Sequence, residues 1–269
     1  MIVRIEGLVL RTYRMTESSL AVVLFSREHG KLRLSAKGAR RPKSKFGSSL
    51  QPITFGHYLY YRREGRDLQT LSEGDTVEPF PGIKSQYTRL TFASTICDLL
   101  DHMTLEEDRN PLLLQIALDA LSWIDGIEVD RLELPLWYFQ LKSAGCLGYR
   151  PHLSGCVLTG APLPEGRAWF SPEAGGTVSR RMEGPGQWID ADTRRFLEHL
   201  QVTTPDRFEA SSFDAVDRVQ TRTILRTFQM AHFEAHRPPK SFAALDQLLS
   251  GGLAMAADAA PWVSTEGFK

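Results

Sequence analysis

Cysteine is scarce: Cys97, Cys146 and Cys156 are the only three in 269 residues, and none is spaced as a pair. So odd and sparse a set excludes a disulfide-built scaffold and fits a reducing compartment, so a cytoplasmic location is expected. Long apolar runs are missing too. The densest, Leu134 to Leu141, is broken by Pro135 and Gln140 and falls far short of the roughly 18 residues of a membrane span. No membrane partner is expected. Arg4 and Glu6 put charges where a secretory signal needs an apolar stretch, so no export is expected. There is no Gly-x4-Gly-Lys-Ser/Thr phosphate loop, no Gly-x-Ser-x-Gly nucleophile elbow and no internal repeat. At 42% hydrophobic and 24% charged residues the composition is that of a folded globular chain, not a disordered or collagen-like one. Net charge is also lacking: 32 Lys+Arg balance 32 Asp+Glu, which taken alone argues against a nucleic-acid protein.

The balance hides a separation. Residues 1–66 carry 14 Lys/Arg and four acids (Glu6, Glu17, Glu28 and Glu64), a surplus of about +10 that the remaining chain cancels. Acidic residues are absent between Glu28 and Glu64, where nine Lys/Arg fall. A polyanion-facing module joined to an acidic body is the arrangement such asymmetry suggests.

The basic segment has the patterning of strands. Ile2–Ile5, Gly7–Tyr13 and Ser19–Ser26 are rich in β-formers, and His29-Gly30 signals a turn. Lys31 to Lys37 then alternates strictly, with Leu32, Leu34 and Ala36 on one face and Lys31, Arg33, Ser35 and Lys37 on the other. Further strands are expected at Ile53–Tyr61 and near Asp67–Leu71. Five short strands with no crossover helix predict a small antiparallel barrel of the oligonucleotide-binding (OB) type. Between the third and fourth strands, Lys37 to Lys45 holds five Lys/Arg among glycines and a proline, which predicts a mobile basic loop. Phosphates would meet Lys31, Arg33, Lys37, Arg40, Arg41, Lys43 and Lys45, and Phe46 would stack a base. Of the tyrosines, Tyr58 and Tyr60 share one face and Tyr61 the other, so one set belongs to the core.

From residue 84 the apolar period becomes helical: a helix through Leu99/Leu100, a second from Asn110-Pro111, and a third from about Pro135 to Ala144, stopping at Gly145. Two more are expected at Phe213–His236 and Phe242–Leu249, with a Gly/Pro-rich stretch, Gly145 to Gly186, between. Asp98, Asp101, His102, Glu106 and Glu107 cluster in sequence and could suggest metal-dependent hydrolysis, but Asp98, Asp101 and His102 would share the solvated face of their helix. His232/His236 has i,i+4 spacing without an adjoining Glu, and Cys97 falls on an apolar face. No enzyme is expected, nor any cofactor.

Three stretches together resemble the RecO family of bacterial recombination mediators: Gly30-Lys31 through the basic loop to Ser44, Tyr60-Tyr61 leading to Leu68–Leu71, and Ala144-Gly145, Gly148–Pro151, Cys156, Phe170-Ser171 and Gly175-Gly176. With the final helix they cover nearly the whole chain. The resemblance implies an α+β multidomain chain. Its parts would be an OB-fold at 1–80, a helical body at 81–148 and 187–250, a zinc-ribbon-like insert at 149–186 and a flexible tail at 251–269. It further implies DNA repair and recombination: binding single- and double-stranded DNA, annealing complementary strands and, with RecR, assisting RecA on strands coated by single-strand-binding protein. The acidic body would hold protein partners such as the tail of that protein, and the location would be cytoplasmic and nucleoid-associated. Many members carry Cys-x2-Cys twice in the insert. Here only Cys156 remains of the four, the others falling near Thr159, Val178 and Arg181, so no zinc is expected and packing of Trp169, Phe170 and Val178 would hold the insert instead. The alternative reading is an OB module for single-stranded RNA, which the same basic and aromatic features would serve.

Overall fold

A computed structural model of the chain describes residues 1–208, 213–214, 216–233 and 239–251. The tail beyond residue 251 and His236 lie outside the described residues. Two compact units are formed, one from Met1–Leu114, Leu121–Glu133 and the chain from Pro239 on, the other from Gln115–Ala120 and Leu134–Pro238.

The first unit contains the barrel. Its strands are β1 (Ile2–Arg14), β2 (Leu20–Ser26), β3 (Gly30–Ala36), β4 (Phe55–Tyr61) and β5 (Leu68–Glu78), closed in the order β1-β2-β3-β5-β4. The two strands expected at the N-terminus are one, because Ile5 and Val9 face the core on either side of Glu6-Gly7 and the ladder to β4 runs through both segments. Leu10 is the extra residue of a bulge between Val9 and Arg11; beside it the Ile53 amide donates to the Val9 carbonyl at 2.9 Å and the Val9 amide donates to the Thr54 carbonyl at 3.0 Å. The antiparallel expectation holds for four ladders; β3 and β5 run parallel. Ile5, Val9, Val22, Leu24, Leu32, Leu34, Tyr58, Tyr60 and Leu71 fill the interior, so the alternation read along β3 is the alternation observed. Tyr58 and Tyr60 are the core pair and Tyr61 is exposed. Burial pushes the Tyr58 phenol up strongly, and its hydroxyl donates to the Ser49 carbonyl at 2.7 Å.

Helices α1 (Pro81–Ser85), α2 (Tyr87–His102), α3 (Pro111–Gly126) and α7 (Ser241–Ser250) belong wholly or partly to this unit. The Asn110-Pro111 start signal is realised: the Asn110 side chain accepts from the Leu113 amide at 3.0 Å, and Pro111 opens α3. Asp98 of α2 caps the start of α7, accepting from the Ser241 amide at 3.1 Å and its hydroxyl at 2.9 Å. Cys97 lies in the α2 core, and burial pushes its thiol up to about 12.

The second unit is built around α4 (Glu133–Cys146), α5 (Ala191–Val202) and α6 (Arg218–His232), with a three-stranded sheet ordered β7-β6-β8 from β6 (Ala168–Ser171), β7 (Gly176–Val178) and β8 (Gln187–Ile189). Helix α4 runs through Gly145 and the chain turns at Gly148, which has φ +89°. Helix α5 is an element that the sequence reading missed. Trp137 stacks edge-on with Phe196 at 6.0 Å and against Phe213 at 5.4 Å, while Phe170 meets Phe228 at 6.0 Å.

Candidate nucleic-acid interface

The basic loop does not run free between β3 and β4. Successive amide-to-carbonyl bonds join Arg41 to Gly38, Ser44 to Arg41, Gly47 to Ser44, Ser49 to Phe46 and Gln51 to Ser48, so residues 38–51 form a chain of tight turns. Two anchors hold it. The Arg40 amide donates to the Ser18 carbonyl at 3.1 Å and its guanidinium to the Glu17 carbonyl at 2.9 Å, clipping it to the β1–β2 connection. Phe46, 3% exposed, enters the barrel core beside Leu50. This corrects the expectation of a base-stacking Phe46: burying an aromatic ring is worth more to the fold than an exposed platform, and the ring is not available to a base. What the anchors leave outward are Lys37, Arg41, Lys43 and Lys45, all exposed, and among the described residues none of the four makes an ion pair.

The strand cations differ from the loop cations. Lys31 is not on a solvated face. Its ammonium donates to the carbonyls of Asp101 and Thr104, at 2.7 and 2.6 Å, and pairs with the Asp101 carboxylate at 3.1 Å. A cation at the C-terminal end of α2 satisfies carbonyls that the helix leaves without partners. Asp101 also pairs with Arg11 of β1. The solvated-face reading of Asp101 is therefore corrected too: its side chain is 5% exposed, fastening α2 to β1 and β3. Arg33 is exposed and pairs with Glu106 at 2.6 Å.

Arg62, Arg63 and Arg66 form a further basic cluster, outside the residues expected to meet phosphates. The β4–β5 connection, Arg62 to Asp67, is gathered around the Gln69 side chain, which accepts from the Arg63 amide at 2.8 Å and donates to the Arg63 and Arg66 carbonyls at 2.9 and 2.7 Å. Arg63 and Arg66 are left exposed. In OB barrels the face of strands 2 and 3 and the connections β1–β2 and β4–β5 are where oligonucleotides bind. A groove of about 360 Å³ runs there, lined by Arg33, Arg66, Gln69, Glu106 and Glu107 among others. The signal was available: a Gly flanked by three arginines between two strands.

The insert does not have the makings of a metal centre. Cys156 is buried with Trp169 and Val178, and Val157, Leu163, Ala174 and Met182 pack around them. At the other family positions stand Thr159, Val178 and Arg181, whose guanidinium lies 5.4 Å from the Trp169 ring centre. Among the described residues no group of three or more His, Cys, Asp or Glu could hold a metal. The donor set does not fit zinc. Instead the Cys156 thiolate is favoured by hydrogen bonds from the Thr159 hydroxyl first and the Ser179 amide next, which outweigh burial and lower the thiol to about 6. The Ser179 hydroxyl lies 3.7 Å from the sulfur.

A five-stranded barrel with an anchored cationic loop, followed by helices and a small sheet, defines an OB-barrel protein whose exposed basic loop suits a polyanion. Comparison with known families makes this particular. The profile described as "Recombination protein O N terminal" matches residues 1–80, and that described as "Recombination protein O C terminal" matches residues 84–241. The chain belongs to the RecO family. It is 29% identical over 252 residues to a protein of Halalkalibacterium halodurans named DNA repair protein RecO, covering 92% of this chain and 95% of that one. A relative of the same name from Exiguobacterium sibiricum is 30% identical, covering 94% and 99%. Another, from Salinibacter ruber, is 39% identical over 151 residues, covering 56% and 57%.

Proposed function

We propose that this chain is a non-catalytic recombination mediator that binds single- and double-stranded DNA, anneals complementary strands and, with RecR, assists RecA loading where single-strand-binding protein coats the strand. The observation that carries this reading is the loop of Lys37, Arg41, Lys43 and Lys45, unpaired cations held outward on a turn chain whose Phe46 is locked in the barrel. Fixing the cations in advance lowers the entropy cost of meeting a phosphate backbone. Neutralising phosphates of two strands on one face weakens their mutual repulsion and favours pairing. Asp98 and Asp101, the acids best spaced for metal-dependent hydrolysis, are committed to Ser241 and to Arg11 and Lys31, which supports binding rather than cleavage.

The test is annealing of complementary oligonucleotides, bare and coated with single-strand-binding protein, across a salt series. Wild-type chain is expected to accelerate annealing steeply at low salt and with little regard to sequence. Replacing Arg41, Lys43 and Lys45 together by Ala should lower single-strand affinity and flatten the slope of log affinity against log salt by about 2. An unchanged slope removes the loop from the interface, and preference for matched RNA over DNA oligonucleotides replaces the substrate.

A further inference from the structure

Past the end of α2 the chain lays an acidic segment along the barrel. Residues Thr104 to Asp108 run beside the start of β3, where Glu106 bridges Lys31 in parallel and the Glu107 amide donates to the Lys31 carbonyl at 3.0 Å. The Glu106 carboxylate takes the Arg33 guanidinium at 2.6 Å, and that of Glu107 takes Arg62 at 3.2 Å. Both carboxylates line the groove between β3 and the β4–β5 connection, the same groove that Arg33 and Arg66 line. Two negative groups on successive residues, placed on arginines of an oligonucleotide-binding surface, hold positions that backbone phosphates would take.

Thr104 is buried and held by Lys31, but beyond it the side chains of the segment are lightly held. The buried carboxylate of Asp101 does the fastening of α2, whereas the side chains of Glu106 and Glu107 are 37% and 53% exposed, and exposed ion pairs contribute little to stability. Leu105 is 76% exposed. Glu107 sits at φ +58°, in the left-handed region that a residue with a side chain avoids. Gly30, at φ +65°, has no Cβ to collide with the Asp108 carbonyl, so the segment fits closely over the turn into β3.

We propose that residues Leu105–Asp108 are a built-in competitor, an acidic strap that occupies Arg33 and Arg62 until a nucleic-acid backbone displaces it. The proposal rests on the nucleic-acid reading of the barrel and adds its regulation: binding at the groove is opposed by two intramolecular ion pairs, and only a polyanion able to replace both gains the groove.

Binding of a fluorescent oligothymidylate to the full chain tests it. Glu106→Gln with Glu107→Gln should tighten binding about twofold to thirtyfold at low salt, since each exposed pair opposes it by roughly 1.4- to 5-fold. Glu73→Gln with Asp75→Asn, the same change of charge at exposed sites of β5, should leave affinity within about twofold, allowing for unspecific attraction. In wild-type chain, hydrogen exchange at the Glu107 amide should accelerate when the oligonucleotide binds. Equal gains in the two double variants, or a Glu107 amide more protected in the complex, overturn the strap. If the strap variant is unchanged while Ala at Arg41, Lys43 and Lys45 still weakens binding, the strap fails and the nucleic-acid reading stands. If neither variant moves affinity, the nucleic-acid reading itself fails.

Discussion

The Lys31 ammonium and the Asp101 carboxylate meet at 3.1 Å, joining β3 to the last turn of α2 across seventy positions of sequence. Lys31 Nζ also bonds two main-chain carbonyls there, so one side chain serves as salt-bridge partner and helix C-cap together. Its neighbour Arg33, two residues along the same face, holds an exposed pair instead. Removing the Lys31 ammonium leaves Asp101 with Arg11 as its remaining ionic partner and takes the donor from two part-buried carbonyls, which costs on the order of 2 kcal/mol, while an exposed pair is worth less than about 1 kcal/mol. Lys31→Met should therefore lower the urea midpoint clearly and Arg33→Met barely. Equal losses would place the two cations in one class and remove the structural role of Lys31.

Phe46 should behave as a core residue. Phe46→Ala is expected to destabilise the first unit by about 3 kcal/mol, as large-to-small core changes do, and to weaken single-strand binding because the loop cations lose their anchor. Phe46→Leu should retain most of both. A Phe46→Ala chain with unchanged stability and lost binding would restore the stacking role.

The arginines around Gln69 are expected to be a second set of phosphate-binding groups. Arg63→Ala with Arg66→Ala should reduce the single-strand salt slope by about 1.4, at roughly 0.7 for each phosphate no longer neutralised. Thermal stability should stay within about 0.5 kcal/mol of wild type, since surface substitutions seldom exceed that.

Cys156 should ionise near neutral pH. Its folded thiol titrates at about 6 against an ordinary 9.0, so the ionised form contributes stability that is fully present above pH 9 and lost as pH falls toward and through 6. Thiolate absorbance at 240 nm, taken as the difference between wild type and Cys156→Ser, should show a midpoint near pH 6. Thr159→Val removes the leading hydrogen bond and should move that midpoint upward. No movement would detach Thr159 from the sulfur.

What the sequence made legible followed from short-range patterns. Leu32, Leu34 and Ala36 fixed the inner face of β3, and Asn110-Pro111 fixed the start of α3, because each depends on neighbours along the chain. The place of Phe46 is not legible in the sequence because an aromatic beside lysines looks the same whether it points to a base or into a barrel, and only the turn chain from Gly38 onward decides. Asp101 was misread for a related reason: its own helix offers it to solvent, and the partners that bury it, Arg11 and Lys31, lie on strands far back in the chain. Helix α5 escaped notice since only Phe196, Leu197 and Leu200 mark its apolar side amid Arg, Asp, Glu and His. The second half of β5 is polar and exposed, and pairing with β4, not periodicity, makes it a strand.

The parallel ladder of β3 on β5 has a kinetic meaning. It is made of three register pairs, Arg33 to Leu68 through Ser35 to Thr70, where each of the other four ladders has seven. A ring of strands opens first at its shortest seam, and this seam lies beside Arg33 and Gln69. Amide exchange at Gln69 and Thr70 should therefore outpace exchange along β1, reporting a barrel that breathes at one edge while its opposite wall stays shut.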